Sequence, residues 1–106
     1  MSKNPTHLWH FFVLPQARQM LPTMQPGHRL SFLRHLRRLV IADAPLELDF
    51  VNTLEGEEYR GIYKFRIGDY RVLFSLDSRS VIHQKHNYKG TVVITKIDWR
   101  KDIYRP

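Results

Sequence analysis

The chain of 106 residues contains no cysteine, so neither disulfide bonds nor thiolate chemistry can contribute to its stability or its function. It has no apolar run near the roughly 18 residues that a membrane span requires, and its N-terminus lacks the apolar core of a signal peptide. These absences favour a cytoplasmic protein without a membrane segment. The length predicts a single domain over residues 1–106.

Acidic residues are also scarce, because 17 Lys and Arg face only 10 Asp and Glu. Residues 1–58 contain six of each sign, whereas residues 59–106 contain eleven basic and four acidic residues. The formal charge of +7 therefore belongs to the second half of the chain. Such a field attracts nucleic acid or acidic partners and makes binding dependent on salt. A soluble basic surface without a ligand accounts for the same composition equally well.

Residues 59–74, YRGIYKFRIGDYRVLF, predict a β-hairpin. Gly68 and Asp69 form a two-residue turn between two alternating runs, which pairs Ile67 with Tyr70 and the remaining positions outward from there. The alternation produces an apolar face made of Tyr63, Phe65, Ile67, Tyr70, Val72 and Phe74, and a second face that carries Lys64, Arg66 and Arg71. Like charges opposite each other across a strand pair are unfavourable. Because stability does not explain this second face, we interpret it as a site for a polyanion.

The residues before the hairpin predict one strand and two helices. Residues 8–14, LWHFFVL, indicate a strand, and residues 15–21 indicate a short helix that begins at Pro15 and ends before Pro22. A longer helix begins near Gly27. Its predicted apolar side consists of Leu30, Leu33, Leu36 and Leu39 or Val40, and its predicted solvent side carries Arg29, Arg34, Arg37 and Arg38.

The residues after this helix are predicted to form an acidic connection over residues 43–58, the hairpin, and further strands over residues 81–85 and 91–97. The last of these, TVVITKI, is nearly continuous in apolar character and predicts a central strand covered on both faces. The order of elements indicates an α+β fold, with two N-terminal helices packed on one face of a mainly antiparallel sheet of about four strands.

Other chemistry-bearing residues give weaker signals. His83 and His86 suggest a metal pair, but on a single strand a spacing of three residues directs them to opposite faces, so no metal or other cofactor is expected. Glu55, Glu57 and Glu58 precede the hairpin without an identifiable partner for acid–base catalysis. Asp98 and Asp102 flank Arg100 and Lys101, which suggests surface ion pairs of little energetic weight.

Four motifs together resemble the RelE/ParE toxin superfamily of bacterial toxin–antitoxin pairs. They are PQARQMLPTM after the first strand, LSFLRHLRRL, GIYKFRIGDYRVLF and the closing VITKIDWRKDIYR. The resemblance covers most of the chain and implies a compact, curved sheet packed on two helices. It implies one of two activities: RelE-type toxins cleave messenger RNA in the ribosomal A site without a metal, and ParE-type toxins poison DNA gyrase.

The resemblance also implies site residues. The basic residues of the family's second strand correspond to Lys64 and Arg66, the Arg of its third strand to Arg71, and its terminal Arg and Tyr to Arg100 and Tyr104. The chain departs from the family in two places. Trp99 stands where many members have His, and residues 77–90 are longer than the connection usual in the family. This longer segment has three interpretations: a lengthened hairpin, a surface loop without a role, or a substrate-facing flap.

Metal-free RNA cleavage uses the ribose 2′-hydroxyl as nucleophile, so the protein must take up one proton, supply another and stabilise the extra negative charge. We assign Lys64 as the general base, because neighbouring guanidinium charges disfavour its ammonium form. Arg71 and Arg100 then hold the phosphorane oxygens. The remaining assignments are Arg66 and Lys101 on neighbouring phosphates and Tyr104 or Trp99 stacked on an unpaired base.

The sequence leaves three functions open. The leading hypothesis is a ribosome-dependent endoribonuclease toxin whose substrate is mRNA on the ribosome. The alternatives are a ParE-like gyrase inhibitor and an inactive homologue that acts only with its antitoxin. In each case the expected partner is a cognate antitoxin in a hetero-oligomer, with an acidic helix docking on the basic face or beside the two helices.

Overall fold

A computed structural model describes residues 8–99. Its helices are α1 (Pro15–Arg18) and α2 (Pro26–Ile41), and its strands are β1 (His10–Val13), β2 (Asn52–Thr53), β3 (Tyr63–Ile67), β4 (Tyr70–Asp77), β5 (Val81–His83), β6 (His86–Tyr88) and β7 (Thr91–Trp99). Short 3₁₀ turns lie at Leu21–Thr23, Pro45–Glu47 and Glu57–Tyr59. Neither helix is long and apolar enough to cross a membrane, within the residues described.

Five strands form one sheet in the order β1-β7-β4-β3-β2, with β1 parallel to β7 and the other neighbours antiparallel. The α+β class is therefore confirmed, but the predicted count of about four strands is wrong. A short fifth strand, β2, forms within the acidic connection, and β5 and β6 form a separate two-stranded sheet. The helices follow β1, in the predicted order of strand, helices and further strands, so the description of them as N-terminal is wrong for the sheet as a whole.

The hairpin of β3 and β4 has the predicted register at every position, from Ile67 opposite Tyr70 to Tyr63 opposite Phe74. Gly68 has a φ of 57°, as the first central residue of a type II′ turn requires. A Cβ atom at Gly68 would also lie 2.6 Å from Nε2 of His28 on α2. Backbone conformation and helix contact therefore both favour glycine at this turn.

One hydrophobic cluster joins the helices to the sheet. It contains Ala17 of α1, Phe32, Leu36 and Leu39 of α2, and Phe65, Val72, Phe74, Val92 and Ile94 of the strands. All of these side chains are at most 5% exposed. The apolar face predicted for the hairpin is therefore the face that the helices cover.

Helix α2 begins at Pro26, close to the predicted start, but its buried side differs from the prediction. Leu36 and Leu39 are buried as expected, whereas Leu30 and Leu33 are 48% and 56% exposed. Phe32 takes their place in the core. A helix turns roughly 100° per residue, so Phe32 lies about 40° from Leu36 around the helix axis, whereas Leu33 and Leu30 lie about 60° and about 120° away on the other side. Among the arginines, Arg29 is not on the solvent side, since it donates hydrogen bonds to the backbone oxygens of Met24 and Leu21.

Strand β7 lies between β1 and β4, so its central position is confirmed. The prediction that both of its faces are covered is wrong, because Val92, Ile94 and Ile97 are buried while the other face is partly open. The buried residues of β7 are two residues apart before Ile94 and three apart after it, because a β-bulge at Thr95 adds one residue. Leu73 therefore pairs with Lys96, and Phe74 pairs with Ile94. Thr95 Oγ1 donates to the oxygen of Leu73, and the oxygen of Thr95 accepts from Gln16 Nε2.

Candidate functional site

The sheet face opposite the helices, which we call the open face, collects cationic side chains from three adjacent strands. Cross-strand pairing places Lys64 of β3 beside Leu73 and then Lys96 of β7, and places Arg66 beside Arg71 and then Asp98. We call Lys64, Arg66, Arg71 and Lys96 the cationic cluster. The predicted convergence of Lys64, Arg66 and Arg71 on one face is therefore present in the fold, and Lys96 joins them.

Asp98 lies within this cluster. Its Oδ2 accepts a hydrogen bond of 3.2 Å from Arg71 Nη2, and its Oδ1 is 3.5 Å from Lys96 Nζ. The side chains of Arg71 and Asp98 are only 14% and 17% exposed. Asp98 thus offsets the repulsion between Arg66 and Arg71, so stability does contribute to this arrangement, contrary to the interpretation from sequence. Among residues 8–99, the cationic cluster brings four positive charges to the one negative charge of Asp98, so the cluster with Asp98 is net positive.

The two guanidinium groups of this face differ in their surroundings. Arg71 is held by Asp98, and its Nε has no hydrogen-bond acceptor within residues 8–99. Arg66 is exposed and forms, together with Lys64, one wall of a cleft of about 450 Å³. Phe50, Asn52 and Thr53 line the rest of the cleft. The cleft combines side-chain donors with two cations, which are groups that bind a phosphate. The Phe50 ring packs against the rings of His35 and Phe65, so it supports the cleft from the helix side.

The other predicted site residues are not all brought to this cleft. Trp99 pairs with Tyr70, so the alternation directs its side chain to the helix-side face and away from Arg71 and Asp98. Its ring is 42% exposed at the sheet edge. Arg100, Lys101 and Tyr104 lie outside the described residues. Their assignments remain predictions.

The other end of the open face carries an aromatic group around His10 of β1. The His10 ring centroid lies 4.8 Å from that of His83 and 5.1 Å from that of Tyr88, so the β5–β6 hairpin packs on the sheet there. His83 pairs directly with His86 across the turn, which places both on one face of the hairpin. The opposite faces inferred from their spacing are therefore wrong, because Gln84 and Lys85 form a tight turn with positive φ values.

The register also places the β5–β6 hairpin far from the cationic cluster. Asp77 and Thr91, which flank the hairpin, pair with each other at the end of β4 and β7 that is remote from Arg71 and Asp98. Residues 77–90 therefore form a lengthened hairpin, one of the three possibilities raised from the sequence. Within residues 8–99 no group of three or more His, Cys, Asp or Glu side chains is placed to hold a metal ion.

Asp77 begins this hairpin and is paired with Arg79. Both carboxylate oxygens accept hydrogen bonds from the Arg79 side chain, and Oδ1 also accepts from the Arg79 backbone N–H. These bonds lower the pKa of Asp77 to about 2. Asp77 is therefore ionised under ordinary conditions and is compensated by Arg79, as Asp98 is by Arg71.

A double-mutant cycle tests the ion pair within the cationic cluster. For Arg71→Ala and Asp98→Ala we expect a coupling energy of about 1 kcal/mol or more in the free energy of unfolding, because the two groups are in contact and largely buried. The measurement is urea denaturation of both single variants and the double variant. The matched control cycle is Lys96 with Asp98, where Lys96 is 54% exposed and the coupling should be smaller. Additive effects of Arg71 and Asp98 would contradict the pairing.

The fold is a RelE-like fold of the α+β class. Among solved structures the chain is similar to the archaeal RelE-RelB complex from Pyrococcus horikoshii OT3, with a TM-score of 0.61 and 26% identity over 88% of this chain and 96% of that chain. It is also similar to the RelB-RelE antitoxin-toxin complex from Methanococcus jannaschii, with a TM-score of 0.61 and 17% identity over 88% and 94% of the two chains.

A third similar structure is the toxin-antitoxin complex RelBE2 from Mycobacterium tuberculosis, with a TM-score of 0.50 and 24% identity over 88% of this chain and 99% of that chain. Comparison with models of known protein families gives no match, and comparison with curated protein sequences gives none. The fold is thus one that occurs in toxin–antitoxin complexes.

Proposed function

We propose that the chain is the toxin of a toxin–antitoxin pair and that it cleaves messenger RNA on the ribosome by attack of the ribose 2′-hydroxyl. The observation that carries this proposal is the convergence of Lys64, Arg66, Arg71 and Lys96 on one open sheet face. Four cations beside a cleft are suited to stabilising the extra negative charge of a strained phosphodiester.

We assign a role to each group by its position. Lys64, on the cleft wall, is the general base for the 2′-hydroxyl. Arg66 is exposed beside it and binds a neighbouring phosphate, since its planar fork matches two phosphate oxygens. Arg71 has its orientation fixed by Asp98 and stabilises the phosphorane from the adjacent strand. Arg100 and Tyr104, which follow β7 in the sequence, would complete the site as the second clamp and the stacking ring.

The resemblance of the hairpin and of the closing motif to toxins supports the toxin rather than the antitoxin. The solved structure with 26% identity is that of a RelE-RelB complex, which fits either member of the pair. The antitoxin would then be the partner. Leu30 and Leu33 are exposed on the outer side of α2 beside the exposed Arg34 and Arg37, a combination that suits an amphipathic helix with acidic residues at its margins.

Incubation of the purified protein with translating ribosomes, followed by mapping of message ends, tests this function. We expect cuts within codons in the A site and no cuts without ribosomes. Addition of the cognate antitoxin should suppress the cuts. Intact messages together with gyrase-linked DNA breaks would instead identify a gyrase inhibitor, and neither effect would identify an inactive homologue.

A further inference from the structure

The open face extends beyond the cationic cluster to the aromatic group around His10. On β7, Thr91 is the partner of His10 and Lys96 is a member of the cationic cluster, so the two ends are separated by five residues, or roughly 16 Å of strand. Between these two ends, the open face carries Val93 of β7 and its partner Ser75 of β4, and both side chains are only partly buried. A continuous surface therefore joins the two ends, and a few nucleotides of single strand would span it.

The aromatic end has the properties of a stacking surface. His83 and His86 are exposed, and Tyr88 is half-buried against His10. Phe12, the next residue of β1 on the open face, is 51% exposed. We call Phe12, His83, His86 and Tyr88 the aromatic platform. Flat rings that remain exposed on a sheet face are the usual means by which proteins hold unpaired bases.

The charge along this path does not oppose a polyanion. The two carboxylates that flank the surface are each compensated, Asp98 by Arg71 and Asp77 by Arg79. Lys85, in the turn between His83 and His86, is exposed and adds a positive charge at the hairpin tip. The field that holds phosphates at the cationic cluster therefore continues to the platform.

We propose that the aromatic platform is a second RNA subsite, where bases of the same single strand that is held at the cationic cluster stack on the rings of His83, His86 and Tyr88. This inference rests on the proposed function, because it requires the strand to lie on the open face. It assigns to the lengthened segment, residues 77–90, the role of extending the RNA-binding surface.

Binding of two fluorescent single-stranded RNAs to the full chain tests this subsite. One RNA is short enough to cover only the cationic cluster, and the other is long enough to reach the hairpin. The unaltered protein should bind the long RNA roughly 5- to 100-fold more tightly, as expected for stacking of one or two bases. The double variant His83→Ala/His86→Ala should lose this length advantage and keep its affinity for the short RNA.

Two further variants separate stacking from other effects. His83→Phe/His86→Phe retains flat rings and should retain the length advantage. If the hairpin bound RNA through the charge of the histidines instead of by stacking, this variant would lose the advantage. Ile82→Ala is the matched control, because Ile82 lies on the opposite face of the hairpin and is 77% exposed. It should bind both RNAs as the unaltered protein does.

The outcomes distinguish this inference from the proposed function. Equal binding of both RNAs by a protein that cleaves messages on ribosomes would overturn the platform and leave the ribonuclease intact. Loss of antitoxin binding in the alanine variant, with unchanged RNA binding, would assign the hairpin to a protein partner and also overturn the platform. Absence of both RNA binding and cleavage in the unaltered protein would remove the two proposals together.

Discussion

Lys64→Met is expected to slow message cleavage on translating ribosomes by at least about 100-fold, because the variant removes the group that we propose as the acceptor of the 2′-hydroxyl proton. Lys64 lines the cleft and lies on the same face as Arg66, so in the proposed complex its amine lies next to a phosphate. Methionine keeps most of the aliphatic length of lysine. The sheet should therefore stay folded, and the loss should appear in the rate of cutting rather than in the yield of protein.

Lys64→Arg separates proton transfer from charge. A guanidinium retains its proton under all ordinary conditions but binds phosphate well. We expect this variant to bind RNA comparably to the unaltered protein and to cleave as slowly as Lys64→Met. Arg37→Met is the control for removal of one positive charge at an exposed site on α2, and it should cleave normally. Full cleavage by Lys64→Arg would show that Lys64 contributes only charge, and the general base would have to be sought elsewhere.

The sequence predicts the hairpin well because two independent signals agree there. A Gly-Asp turn determines which residues pair, and the alternation of apolar and basic residues fits that register alone, since a slip of one residue would bury the charges. The convergence of Lys64, Arg66 and Arg71 follows directly from these local rules. This convergence is the part of the candidate site that can be predicted without knowing how distant parts of the chain pack together.

Asp98 and Lys96 were not predicted as members of the site because the bulge at Thr95 changes which face they occupy. In a regular strand Ile94, Lys96 and Asp98 would share one face. The sequence contains a signal for the change, since Ile94 and Ile97 are three residues apart and cannot both face the core without an extra residue between them. The apolar run TVVITKI was instead interpreted as a strand covered on both faces.

Other differences have tertiary causes. The pairing of His83 with His86 depends on Gln84 and Lys85 adopting positive φ values, which neither residue type favours by itself. The exposure of Leu30 and Leu33 depends on the choice of Phe32 for the core, where its ring lies 6.4 Å from that of Phe65. Several leucines on a helix are compatible with more than one buried side, and packing against the sheet determines which side is used.

Phe65→Ala is expected to destabilise the fold by about 3–5 kcal/mol, because it leaves a cavity where a buried ring meets four others. The Phe65 side chain is fully buried, and its ring lies 5.2–6.4 Å from the rings of Phe32, His35, Phe50 and Phe74. The measurement is urea denaturation followed by circular dichroism. The dependence of the unfolding free energy on urea concentration should be the same in the variant and the unaltered protein, which would confirm that the denatured state is unchanged. Phe11→Ala, at a ring that is 50% exposed, should cost less than about 1 kcal/mol.

The same substitution tests how the core supports the site. Phe65 lies between Lys64 and Arg66 in β3, so the ring that anchors the strand on the helix side also orients the two cations on the open side. Phe65→Leu, which fills most of the space, should lose less stability than Phe65→Ala and should retain cleavage when folded. If Phe65→Ala unfolded at the same urea concentration as the unaltered protein, the ring cluster would not be the anchor of β3, and the positions of Lys64 and Arg66 would need another explanation.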